Sequence, residues 1–135
     1  MADQNADRIG LKDEMAEDFG VQECLESRFS ELSLGQQNRI NLIRYLVQDF
    51  SLLIMDESLA NVDERTRETI ILKIKDLFPD TYFLYISHNV VEVSKFCKDI
   101  IVFRHAYKKP QAVMVSGQDL HAGGELAKNR LELTM

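Results

Sequence analysis

Residues 32–36 read Leu32-Ser33-Leu34-Gly35-Gln36, and twenty positions after Gln36 stands Asp56, the first of a carboxylate pair, Asp56-Glu57, that closes the apolar run Leu52-Leu53-Ile54-Met55. A Ser-x-Gly-Gln turn that opens a helix offers unpaired backbone N–H groups and a positive dipole end to an anion. A strand that ends in adjacent carboxylates suits a metal ion and an activated water. The two together indicate nucleoside triphosphate chemistry.

Downstream the chain continues Ser58-Leu59-Ala60-Asn61-Val62-Asp63, and a second apolar run, Tyr82 to Ile86, ends at Ser87-His88. With these residues the sequence resembles the ABC ATPases. The signature motif of that family, usually Leu-Ser-Gly-Gly-Gln, matches Leu32 to Gln36 with Leu34 in place of the first Gly. Walker B matches Leu52 to Glu57. The D-loop, usually Ser-Ala-Leu-Asp, matches Ala60-Asn61-Val62-Asp63, and the switch histidine of the H-loop matches His88.

A phosphate-wrapping loop requires a Gly-rich turn ending in Gly-Lys, because glycine lets backbone N–H groups approach the phosphates and the lysine reaches the terminal ones. The glycines are Gly10, Gly20, Gly35, Gly117, Gly123 and Gly124, and none is followed by lysine. The resemblance therefore covers the second half of such a domain. It implies that Walker A, the adenine-stacking aromatic and the Q-loop lie upstream, in sequence this chain lacks. The isolated chain is accordingly expected to be inactive, whether it is a fragment or a natural split half.

The resemblance assigns Asp56 to Mg2+ through water and Glu57 to the water that attacks the γ-phosphate of ATP. His88 would contact that phosphate and hold the water. Ser33, Gly35 and Gln36 would face the γ-phosphate of an ATP held by the opposite subunit, and Asp63 would lie along the dimer interface. Each residue also has a plainer reading. Asp56 and Glu57 are acids at a strand end, Ser33 is an N-cap, and Asp63 is an early-turn helix acid. Neighbouring strand residues point to opposite sides, so Asp56 and Glu57 are free to act differently. Leu34 is bulky where the family usually has Gly, which bears on phosphate approach, and Ser58 stands where Pro is usual. His105 and His121 lack comparable context.

The apolar pattern places an α/β fold around these motifs. Ile9, Leu11, Met15, Phe19, Val21 and Leu25 indicate one or two short helices broken near Gly10 and Gly20. Ile40, Ile43 and Val47, widened by Leu42 and Leu46, mark an amphipathic helix from Gln36 to about Gln48. Apolar runs at Leu52–Met55, Tyr82–Ile86 and Ile100–Phe103 alternate with helical patterns over 63–77 and 90–98. Such alternation predicts a parallel sheet covered on both faces. Ala112 to Val115 reads as a late strand, and 119–133 as a terminal helix interrupted by Gly123-Gly124. The family frame makes this a partial P-loop NTPase domain. Residues 1–50 would end the helical subdomain, 51–107 would form the second half of the ATPase core, and 108–135 a tail.

The 135 residues carry a formal charge of −6, with 45% hydrophobic and 28% charged residues. That is an ordinary globular composition, and the absence of a Lys/Arg cluster argues against nucleic-acid binding through a basic surface. Cys24 and Cys97 form no C-x-x-C pair and are expected to be reduced and buried, as in a cytosolic chain. Neither a signal peptide nor an apolar run of the ~20 residues that span a bilayer is evident.

The resemblance implies a cytoplasmic ATP-binding and ATP-hydrolysing subunit of an ABC transporter, peripheral to the membrane through permease chains. Its other partner would be a second ABC subunit or the missing Walker A half, in a homo-oligomer or hetero-complex. Arg28-Phe29-Ser30-Glu31-Leu32 before the signature, and the lack of an Ala-Thr-Ser-Ala-Leu-Asp string, lean toward an importer-type subunit. Two alternatives stand beside this reading. One is a non-transport, SMC-like ABC ATPase, which would carry long heptads before the signature. The other is a non-catalytic split half that docks on a Walker A-bearing chain.

Overall fold

Helix α1 spans Ala2–Asp18 in the computed structural model, which describes residues 2–121 and the side chains of residues 7–121. The break expected at Gly10 is absent. Glycine inside a helix costs roughly 1 kcal/mol relative to alanine. Here that cost falls at an exposed position and is offset further along, where Met15 and Ala16 are fully buried. Lys73 adds ion pairs to Glu14 at 2.6 Å and Asp18 at 2.9 Å. The break at Gly20 is real. Its φ of +70° allows Gly20 N–H to donate to Glu17 O and Val21 N–H to Ala16 O, a Schellman ending that only a residue without Cβ adopts cheaply.

Helix α2, Leu34–Leu46, starts two residues earlier than expected because Ser33 caps it, and it buries Leu42, Ile43 and Leu46. Strand β1, Leu52–Asp56, and strand β2, Tyr82–Ile86, pair in parallel, with Leu52 opposite Tyr82 and Asp56 opposite Ile86. Helix α3, Glu64–Leu77, makes the crossover and buries Ile70, Ile71 and Ile74. It ends at Phe78, as the residue before Pro79 is pushed out of the helical region. Helix α4, Val90–Phe96, is two residues shorter than expected, with Cys97 already extended.

The sheet departs from expectation. Strands β3, Asp99–Phe103, and β4, Ala112–Ser116, form an antiparallel pair of their own rather than extending the parallel sheet. Only Arg104–Gln111 joins them, and so short a link permits a hairpin but not a parallel crossover. Cys24 is buried as expected, whereas Cys97 is half-buried. The terminal helix anticipated over 119–133 lies, beyond His121, outside the described residues.

Nor, among the described residues, is the parallel pair covered on both faces. Leu53 and Met55 are buried against the helices, with Phe83 and Tyr85 beside them. On the opposite face Leu52, Ile54, Tyr82, Leu84 and Ile86 are all exposed, Tyr82 by 77%. Contiguous apolar surface of this kind promotes association. The purified chain is therefore expected to show a light-scattering mass that falls on dilution, and the double variant Ile54→Lys/Leu84→Lys to stay monodisperse at concentrations where the wild type does not. A monodisperse wild-type monomer at tens of micromolar would contradict this.

Candidate functional site

Because β1 and β2 run parallel and in register, the residues after them emerge side by side. Glu57 N–H donates to Ile86 O at 3.0 Å, which carries the pairing one step past the strand. Glu57 then adopts φ +53°, a left-handed conformation that glutamate rarely takes and that costs about 1–3 kcal/mol. The turn folds its carboxylate across the end of β2, where Oε1 accepts the His88 N–H at 2.9 Å. The His88 imidazole is fully exposed, with Nε2 3.9 Å from the same oxygen. Asp56, the last residue of β1, is exposed beside them. The fold thus gathers Asp56, Glu57 and His88 at one sheet end. Buried Leu59 and Val62 anchor the loop that follows.

Ser33, Gly35 and Gln36 form a second group. Ser33 Oγ accepts Gln36 N–H at 3.2 Å and Gln36 Oε1 accepts Ser33 N–H at 2.9 Å, a complete capping box. Gln37 N–H donates to Ser33 O, so the amides of Leu34 and Gly35 lie outside the helical ladder, the second of them on a buried residue. Leu34 points its side chain into solvent, 58% exposed. Gly35 is buried under the Asn61 carbonyl, so closely that a Cβ there would collide with the oxygen. The 58–63 loop therefore touches both groups. Among the described residues no hydrogen bond joins the Ser33–Gln36 turn directly to Glu57 or His88.

Asp63 caps α3. Its Oδ2 accepts Thr66 N–H at 3.0 Å and its Oδ1 accepts the Thr66 hydroxyl at 2.7 Å. These two bonds, the hydroxyl's first, hold the carboxyl below the usual carboxylate range. Behind the loop lies a polar cluster that the sequence reading missed. Glu92, 3% exposed, accepts from Arg67 Nε at 3.0 Å, Tyr85 OH at 2.6 Å and Asn89 Nδ2 at 2.9 Å. Burial, and then the bond to Glu92, push the Tyr85 phenol up, so it stays a proton donor. A cavity of about 180 Å3 separates this cluster from Glu57. The local signal was Asn89-x-x-Glu92, an N-cap pattern three residues apart.

A single carboxylate at a strand end suits Mg2+, which takes one or two protein carboxylates and completes its shell with phosphate oxygens and water. Among the described residues no three acidic, histidine or cysteine side chains gather into a cage. No described helix is long and apolar enough to cross a membrane.

The family model described as ABC transporter matches residues 2–60. The sulfoquinovosyl glycerol transport ATP-binding protein SmoE of Agrobacterium fabrum is 29% identical over 118 residues, covering 78% of this chain and 33% of that protein. The phosphonates import ATP-binding protein PhnC 1 of Ruegeria is 29% identical over 126 residues, covering 89% of this chain and 49% of its own length. The molybdenum import ATP-binding protein ModC of Saccharophagus degradans is 30% identical over 127 residues, covering 90% and 35%. The chain spans between a third and a half of the length of these relatives.

Three outcomes are expected from this geometry. Gly35→Ala gains roughly 1 kcal/mol of helix propensity. The collision with Asn61 forces a backbone shift costing about 1–3 kcal/mol, so the variant unfolds at lower urea and the Asn61 amide resonance moves. Leu34→Ala, at an exposed position, changes stability by no more than about 0.5 kcal/mol. For Asp63, the folded carboxyl is more acidic than the unfolded one. Its stabilising bond is therefore fully present above the ordinary value of 3.8 and lost as pH falls through the folded value. The stability gap between wild type and Asp63→Ala should narrow as the pH drops below that range in acid-titrated unfolding curves.

Proposed function

Because this chain belongs with the ABC ATPases, we propose that it supplies the signature-to-H-loop half of an ATP-hydrolysing subunit of an importer-type ABC transporter. The observation that carries this reading is the bond from the His88 amide to Glu57, made at the shared end of two parallel strands. The names of the relatives, which describe transport and import ATP-binding proteins, support the transport role over an SMC-like one.

In this reading ATP with Mg2+ brings a transferable phosphoryl group and an ADP leaving group. Asp56 takes the metal side. Glu57 orients the attacking water and accepts its proton as the new P–O bond forms and the bond to ADP breaks. The exposed His88 ring reaches the terminal phosphate from the next strand. Phosphoryl transfer depends chiefly on positioning and charge stabilisation, which groups fixed at a strand end provide. The turn of Ser33, Gly35 and Gln36 brings the positive end of α2 toward the terminal phosphate of a nucleotide held across a dimer interface, with Asp63 along that interface. Two such domains closing on two nucleotides drive membrane-spanning permease chains.

The triphosphate itself must be wrapped by a polypeptide bearing a Gly-Lys loop, so calorimetry of the chain alone should show no micromolar ATP affinity. Combined with a Walker A-bearing half, it should hydrolyse ATP. Glu57→Gln should then trap a nucleotide-bound dimer, since the carboxamide still holds water but no longer accepts its proton. His88→Ala should lose roughly 3 to 4 kcal/mol of transition-state stabilisation, a fall of two to three orders of magnitude in turnover. Unchanged turnover in both variants would remove these residues from the mechanism.

A further inference from the structure

The buried carboxylate of Glu92 receives donors from three separate elements. Arg67 comes from α3, Tyr85 from β2 and Asn89 from the turn after His88. The second arm of Arg67 holds the carbonyl of Val62, with Nη1 2.6 Å from it. Val62 N–H is bonded in turn to Leu59 O, and Ala60 N–H to Glu57 O. On the other side, Asn89 follows His88 directly, and its N–H donates to Ser87 Oγ at 3.0 Å. Both segments that meet at the Glu57–His88 contact are thus tied to one buried carboxylate.

We propose that Arg67, Tyr85, Asn89 and Glu92 form a positioning clasp that holds the His88 amide on the Glu57 carboxylate, so that the candidate catalytic pair depends on side chains outside the pair itself. The left-handed turn at Glu57 makes such support necessary, because a strained residue persists only where its surroundings over-determine it. A cleft of about 180 Å3, lined by Glu57, Leu59 and the cluster residues, lies between them, so on that side Glu57 is held through the hydrogen-bonded segments. Removing one partner of a buried pair leaves an uncompensated charge, so the clasp holds as a unit.

A purely stabilising ion pair makes a different prediction, and replacing it by apolar side chains separates the two. A buried pair exchanged for well-packed apolar residues commonly keeps or gains stability. In the double variant Arg67→Met/Glu92→Met, the clasp predicts a urea midpoint close to wild type but hydrogen exchange at the His88 amide about tenfold faster, with amides inside α2 unchanged. Tyr85→Phe, which removes one donor and leaves the ion pair in place, should show the same local effect at smaller amplitude and serves if the double variant does not fold. Unaltered His88 exchange in the variants that fold, or acceleration spread evenly over α2 as well, would overturn the clasp. Its consequence for hydrolysis rests on the proposed function. In a reconstituted enzyme kcat should fall with KM for ATP unchanged. A wild-type assembly that hydrolyses nothing would count against the proposed function, while the exchange measurement on the 135-residue chain still decides the clasp.

Discussion

Two strands that run the same way and pair in register deliver their carboxyl ends to the same place, and the candidate chemistry of this chain depends on that constraint. Asp56 lies opposite Ile86. One residue later the pairing continues through Glu57 N–H to Ile86 O, and then the chain must turn away. A shift of register by one residue would reverse which side chains face the helices, exposing Leu53 and Met55 and carrying Glu57 off the end of β2. The apolar alternation that buries Leu53 and Met55 therefore also fixes where the carboxylate meets His88. Packing and site geometry are set by the same residues.

Much of this was legible because the signals are local. Ser33 with Gln36 three residues on, Asp63 before a charged first turn, and Gly20 after an apolar stripe each act within a few residues, and each appears in the structure as a cap. The extents of β1 and β2 followed from short apolar runs flanked by polar residues. The failures occurred where the deciding factor was distant or permissive. Gly10 reads as a break, yet glycine only weakens a helix, and α1 is held by contacts with Lys73 some sixty residues away. Strand direction is not written in a strand. The eight-residue link between β3 and β4 decided it, and the apolar composition of β3 misled. The Glu92 cluster joins residues up to 25 positions apart, so only the N-cap pattern at Asn89 hinted at it.

The two faces of the parallel pair account for the division of labour within the chain. The helix-packed face has Leu53 and Met55 buried and Phe83 and Tyr85 partly so, beside a carboxylate with three side-chain donors, and this is the side from which Glu57 and the 58–63 loop are held. The other face, with Ile54 and Leu84 at its centre, has no cover among the described residues. A protein interior leaves so much apolar surface to water only where another surface meets it.

The proposed function divides into what this chain would supply and what another polypeptide would supply. The capping box at Ser33 uses local side chains to order the start of α2, and the Gly35–Asn61 contact fixes that helix start against the loop after Glu57. In the proposed function that helix start would meet one end of a triphosphate. A helix dipole neutralises only part of the charge of a terminal phosphate, each charge interaction at a helix end being worth no more than about 1–2 kcal/mol. The remainder requires a lysine and a glycine-lined backbone approaching from another direction. Under the proposed function, order in the reacting groups and weakness in holding the nucleotide are therefore compatible in this chain. Its rigid part fixes how a bound phosphate would react, and its binding strength depends on the polypeptide that meets it.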